Sequence, residues 1–182
     1  AVLAFSALTN NDKVGAIFFS DTVEAYLPPK KGRANVLKLI RELLMIAPKS
    51  DKTNLSKALD YLNNVQKKRS IVFTLSDFYA PSFEKSLTLT AKRHDLIGIN
   101  VFDPGESTLP AELGMVQVLN AESGECFFLD AAEKNYRSTY EKSHVQDAEK
   151  YNATFQKYGA NSLFLSTEAD YIKALLEMFR KR

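Results

Sequence analysis

A single cysteine, Cys126, is all the chain possesses, so no intramolecular disulfide can form. A reducing compartment, the cytoplasm, is the expected location. Charge of one sign is scarce too. The formal net charge is +2, whereas nucleic acid or an anionic membrane surface calls for a concentrated basic face. The densest basic run, Lys67-Lys68-Arg69, reads as a solvated helix C-terminus. No apolar stretch is long enough to span a bilayer and no signal-peptide pattern is visible, so membrane insertion is not expected. With only seven glycines the chain has no G-x-x-x-x-G-K loop and no G-x-S-x-G elbow, and its two histidines, His94 and His144, have no partner at metal-ligand spacing. Nucleotide binding and nucleophilic hydrolysis therefore lack their usual parts. Internal repeats, low-complexity tracts and linkers are absent, which leaves one domain over residues 1–182.

What is present is ordinary for a globular fold: 45% hydrophobic and 25% charged residues in 182 positions, ample for one core. "AVLAFSALT" opens on Ala1 without a helix N-cap, as if a helix had been entered part-way, with Val2, Phe5 and Leu8 as its apolar face. The chain is thus expected to be a fragment. "KVGAIFFSD" and "SIVFTLSDF" are continuous apolar runs of the kind buried on both faces of a sheet. "TVEAYLP" alternates like a half-exposed edge strand. Between them lie two amphipathic helices, one with Val36, Leu37, Ile40, Leu43 and Leu44 along a face and one with Leu55, Ala58, Leu59 and Leu62. A helix from about Ser82 to Arg93 and a strand "DLIGINVFDP" follow. Strands alternating with helices imply βαβ units and a doubly wound, mainly parallel α/β sheet.

"MVQVLNAESGECFFLDA" breaks that rhythm and reads as a β-hairpin over about residues 114–130, turning at Ser123-Gly124, with Cys126 packed in a strand. A long helix carries Tyr136, Tyr140, Ala148, Tyr151, Phe155 and Tyr158 at core-packing spacing. "NSLFLST" is the last strand. Thr167 is the expected cap of a final helix whose Ile172, Leu175, Leu176 and Phe179 face inward.

In open α/β sheets ligands bind beyond the carboxyl ends of the strands. Three polar sites fall there: Asp77 after "SIVFTLS", Asp103 with Glu106 after the next strand, and Thr53 with Ser56 at the start of the preceding helix. Hard oxygen donors suit Mg²⁺, Mn²⁺ or Ca²⁺. Each has a plainer reading. Thr53 fits an N-cap, Asp77 fits a cap for the helix near Ser82 or a solvated carboxylate, and Asp103-Pro104-Gly105 fits a turn. His94 fits a hydrogen-bonded structural role at a helix-to-strand junction.

"NDKVGAIFFSD", "LPPKKGRANVLKLIREL", "TNLSKALDYL", "SIVFTLSDF", "KRHDLIGINVFDPGESTLP" and "GMVQVLNAESGE", in this order and with these gaps, resemble the bacterial domain of unknown function fifty-eight over nearly the whole chain. The resemblance implies a von Willebrand factor A-like domain: a three-layer, doubly wound, Rossmann-type sheet bearing a metal-ion-dependent adhesion site. It also implies a MoxR-type AAA+ ATPase, or its client, as partner. Carried over by position, Thr53 and Asp77 become metal ligands, with Asp77 reaching a Mg²⁺ or similar divalent cation through water. The family's Asp-x-Ser-x-Ser motif is absent from the sequence and would lie upstream of Ala1, together with the first, central strand. The resemblance thus implies half a metal site that binds weakly or not at all. It implies too that "VGAIFFS" either pairs directly with "SIVFTLS" or is completed by another copy of the chain. A non-enzymatic adaptor is the resulting expectation. The alternative is a Mg²⁺-dependent phosphohydrolase with Asp77 as nucleophile and Asp103 or Glu106 as metal ligands.

Overall fold

The computed structural model describes residues 1–78, 82–107, 110–119 and 126–180; the side chains of residues 106, 107, 119, 127, 141, 143–145, 147 and 148 lie outside that description. The chain alternates as expected. Helix α1 (Val2–Thr9) leads into strands β1 (Val14–Phe19) and β2 (Val23–Lys30), helices α2 (Arg33–Met45) and α3 (Leu55–Val65), and strand β3 (Ile71–Ser76). Then come α4 (Glu84–Arg93), β4 (Asp95–Phe102), α5 (Pro104–Ser107), a 3₁₀ turn (Ala111–Leu113), β5 (Met115–Leu119), β6 (Cys126–Asp130), α6 (Lys134–Lys157), β7 (Asn161–Ser166) and α7 (Tyr171–Arg180).

Strands β3, β4 and β7 form a parallel sheet in that order, in unbroken register from Ile71↔Asp95 to Ser76↔Asn100 and from Ile97↔Asn161 to Phe102↔Ser166. Alternation along β4 divides the core between two faces. Leu96 joins Leu55 and Leu59 of α3, Leu87 of α4, and Tyr151 and Phe155 of α6. Ile97 and Ile99 join Leu175 and Met178 of α7, with Leu3 of α1 and Phe73 of β3 packed alongside. Helices thus cover both faces, and the mixed α/β class stands. The hairpin is present as the antiparallel pair β5–β6; its Ser123-Gly124 turn lies outside the described residues.

The sheet is not continuous. Among the described residues β1 pairs antiparallel with β2 alone, so "VGAIFFS" does not pair with "SIVFTLS". That corrects one of the two expected ways of completing the sheet. The consequence shows in burial: Ile71 and Leu75 of β3 are 58% and 54% exposed, although their run reads as buried on both faces. A strand lacking a neighbour on one edge loses the side chains that would flank it.

Other expectations need correction too. On α2 only Val36 is buried, and Leu37, Leu43 and Leu44 are exposed. On α7, Leu175 and Met178 are buried while Ile172, Leu176 and Phe179 are exposed, Phe179 meeting Phe73 edge-on at 6.1 Å. On α1 the buried residue is Ala4, with Val2 and Phe5 exposed. The cap of α7 is Asp170, not Thr167: Asp170 Oδ1 accepts from the N–H groups of Ile172 and Lys173, both at 3.1 Å. Cys126 is exposed rather than packed, on a hairpin that also leaves Met115 and Phe128 open.

Candidate functional site

The first turn of α3 is anchored at two points. The Asn54 N–H donates to the Ser20 carbonyl at 2.9 Å, which ties that turn to the residue after β1. Ser56 Oγ donates to the Ser82 carbonyl at 3.1 Å, which ties it to the segment after β3. Thr53 immediately precedes these anchors, half-buried. Its expected capping role is overturned, because the cap of α3 is Asn54, whose Oδ1 accepts from the Lys57 N–H at 3.1 Å. Among the described residues no protein group bonds to the Thr53 hydroxyl, so α3 does not occupy it.

Asp77 follows β3 directly and is exposed. Ser76 Oγ donates to its Oδ1 at 3.2 Å, and the buried Asn100 of β4 donates through Nδ2 to its backbone carbonyl at 2.9 Å. Asp77 does not cap α4, whose cap position is Phe83 and whose first turn carries Glu84, bonded by the Ser82 hydroxyl. Phe78, next in the chain, sits at φ +60°, a left-handed conformation costly for a residue with a Cβ. Packing holds it there: the Phe78 ring lies 4.3 Å from Tyr151 and 5.4 Å from Phe155, centroid to centroid.

Thr53 comes from the segment tied to the residue after β1, and Asp77 from the residue after β3. Both are oxygen donors, the class that hard divalent cations take. Two such ligands fall well short of an octahedral shell, and among the described residues no three His, Cys, Asp or Glu side chains gather to hold a metal. Asp103 belongs to the turn that its spacing suggests, its Oδ1 accepting from the Gly105 N–H at 2.9 Å. The Glu106 and His144 side chains lie outside the described set.

One polar network at this rim was not foreseen. Ser20, 5% exposed, donates its hydroxyl to Glu24 Oε1 at 2.6 Å, and the same oxygen accepts from the Lys49 N–H at 3.0 Å. The Ser20 hydroxyl and the Lys49 amide hold the Glu24 carboxyl below its ordinary pKa.

His94 is buried as a structural residue should be, at 1% exposure, yet among the described residues neither ring nitrogen has a partner. Its expected hydrogen bond is absent. Burial, and secondarily the Arg93 charge, holds its pKa below the usual imidazole range. A depressed histidine contributes fully above the unfolded-state value of about 6.5 and loses that contribution as pH falls toward the folded value. Stability should therefore decline as pH drops from 7.5 to about 5.5, above the range in which carboxylates such as Glu24 titrate. Thermal melts of His94→Leu across that window should show a flatter pH dependence. An unchanged slope would assign the decline to other groups.

A family model described as "Protein of unknown function DUF58" matches residues 1–150. Uncharacterized protein Rv1480 of Mycobacterium tuberculosis (strain H37Rv) and uncharacterized protein Mb1516 of Mycobacterium bovis are each 27% identical over 192 residues, covering 100% of this chain and 59% of the relative. Uncharacterized protein MAV169 of Mycobacterium avium is 28% identical over 161 residues, covering 86% of this chain and 93% of that protein. The chain therefore spans 59% of the length of the first two relatives. No solved structure matches. No helix among the described residues is long and apolar enough to cross a membrane. Covering 150 of 182 positions, the family match shows that the chain belongs to the family of unknown function DUF58.

Proposed function

We propose that the chain is a protein-binding module of von Willebrand factor A type, not an enzyme, that contributes Thr53 and Asp77 to a divalent-cation site and works with a MoxR-type AAA+ ATPase or its client. The observation that supports the reading is the pair of tethers at the start of α3, Asn54 to Ser20 and Ser56 to Ser82, which tie the Thr53 segment to the residue after β1 and to the segment before α4. A bound cation with an open position would receive a carboxylate from the partner. In this arrangement Thr53 supplies a hydroxyl oxygen, and Asp77, steadied through its backbone by Asn100, supplies charge. The reading further holds that a central strand between β1 and β3 completes the sheet, supplied elsewhere in the protein or by a second copy.

The phosphohydrolase alternative draws less support. Asp103 is engaged with the Gly105 amide, and the sequence offers no glycine loop to cradle a phosphate. The test is capture of the ATPase by the product of the complete gene, with Mg²⁺ or with EDTA. Capture should require the metal and fail for Thr53→Ala and for Asp77→Ala, both with unchanged melting temperature. Equal capture in EDTA would remove the metal from the account, and turnover of a phosphoester abolished in Asp77→Asn would favour the enzyme.

A further inference from the structure

The segment that joins β2 to α2 lies away from this rim and has a character of its own. Between Glu24 and Glu42 the sequence carries Lys30, Lys31, Arg33, Lys38 and Arg41 and no acidic residue. In a chain of net charge +2 those five cations are balanced elsewhere, so the charge is segregated by position.

The fold gathers three of them around a groove. A cavity of about 330 Å³ is lined by Lys30, Lys31 and Lys38 together with the apolar Leu27, Pro28 and Ala34. Arg33 opens α2 beside it. None of these four cations forms an ion pair among the described residues, where the Lys49–Glu24 bridge is the pair found. α2 has no acidic residue in its first turn, and its cap position, Gly32 at φ +95°, offers no side-chain acceptor. The helix end therefore adds positive potential to that of the lysines. Its walls are fixed in place, because Asn35 Nδ2 donates both to the Val14 carbonyl at 2.7 Å and to the Lys30 carbonyl at 3.1 Å, clamping the first turn of α2 to the two strands.

We infer that this groove is a docking site for an acidic polypeptide segment of a protein partner, with carboxylates set against Lys30, Lys31 and Lys38 and an apolar side chain on Leu27, Pro28 and Ala34. Charge complementarity selects an anion. The mixed lining selects a peptide over nucleic acid: no aromatic side chain lines the groove to stack a base, and its volume suits one or two side chains rather than a strand backbone. The proposal uses the protein-binding reading only in taking the partner to be a polypeptide. It is independent of any metal.

The experiment is fluorescence anisotropy in EDTA with a labelled peptide rich in glutamate and containing leucine, so the cation site plays no part in the outcome. Binding should be present at about 50 mM salt and fall steeply by about 300 mM. Lys31→Glu combined with Lys38→Glu should weaken it by about tenfold or more, while Lys67→Glu with Lys68→Glu, a basic pair in a different segment, should leave it nearly unchanged. Melting temperatures within a few degrees of the parent confirm that both double variants fold; if the groove pair melts early, Lys31→Gln with Lys38→Gln replaces it. Equal weakening by both pairs would reduce the effect to diffuse attraction and overturn the proposal. So would absence of binding, or tighter binding of a single-stranded oligonucleotide of matched charge.

Discussion

Gly98→Ala is expected to cost the fold about 3 kcal/mol or more. A Cβ at this position in β4 would stand 2.0 Å from the Tyr151 hydroxyl and 2.3 Å from Cε1 of Phe155. Neither neighbour can withdraw easily. Phe155 is fully buried and Tyr151 is 7% exposed, both locked into the cluster with Leu55, Leu59, Leu87 and Leu96. β4 is the central strand of the parallel sheet, hydrogen-bonded on both sides, so backbone movement would break register with β3 or β7. At about 2–4 °C per kcal/mol for a chain of this length, the melting temperature should fall by roughly 6–12 °C.

The same contact yields an internal control. The Tyr151 hydroxyl is buried without a hydrogen-bond partner among the described residues, and desolvation drives its pKa far above the usual phenol range. Tyr151→Phe deletes that hydroxyl and should be neutral or slightly stabilising. In the Tyr151→Phe background the cost of Gly98→Ala should shrink by about 1 kcal/mol, a coupling expected of residues in direct contact. Additive costs would mean that the alanine is accommodated by strand movement instead.

The second large effect is at Phe78. Its ring fills the space between Tyr151, Phe155 and Phe83 from a loop, while its backbone sits in a region that non-glycine residues avoid. Phe78→Ala keeps the backbone cost and discards the packing that offsets it, so a loss of about 2–4 kcal/mol is expected. The informative readout is functional. If the ring positions Asp77, Phe78→Ala should also weaken divalent-cation binding, although no ligand has been touched. Phe78→Leu, which refills much of the cavity, should restore stability and most of that binding. A variant that melts early yet binds metal as before would confine Phe78 to packing.

How far the sequence alone reached follows from what each pattern encodes. Continuous apolar runs located β1, β3, β4 and β7, and the 3.6-residue stripe of α3 placed Leu55, Ala58 and Leu59 inside, because burial on a complete face leaves a periodic trace. The same logic misjudged α2, α7 and β3. Their apolar side chains are fit for burial, but Leu44, Leu176 and Ile71 lie exposed. Periodicity reports what a residue can pack against and says nothing of whether the neighbour is present.

Capping was legible in type and missed by position. Asn54 and Asp170 cap their helices where Thr53 and Thr167 were expected, since nearby residues of similar chemistry, one position away in the first case and three in the second, compete and the backbone turn decides. Asp77 was legible as the residue that emerges after β3, because a strand end delivers its next side chain to the rim of the sheet. The Ser20–Glu24–Lys49 network was not, since its hydroxyl, carboxylate and amide come from separate segments joined only by the fold.

The central claim is that Thr53 and Asp77 serve one ion, and metal titration of the complete gene product by calorimetry tests it most directly. Each single alanine substitution should weaken Mn²⁺ or Mg²⁺ binding by about tenfold or more, and the double variant should be little worse than the poorer single, since both remove ligands from the same ion. Full affinity in either single variant, with the fold intact, would contradict it.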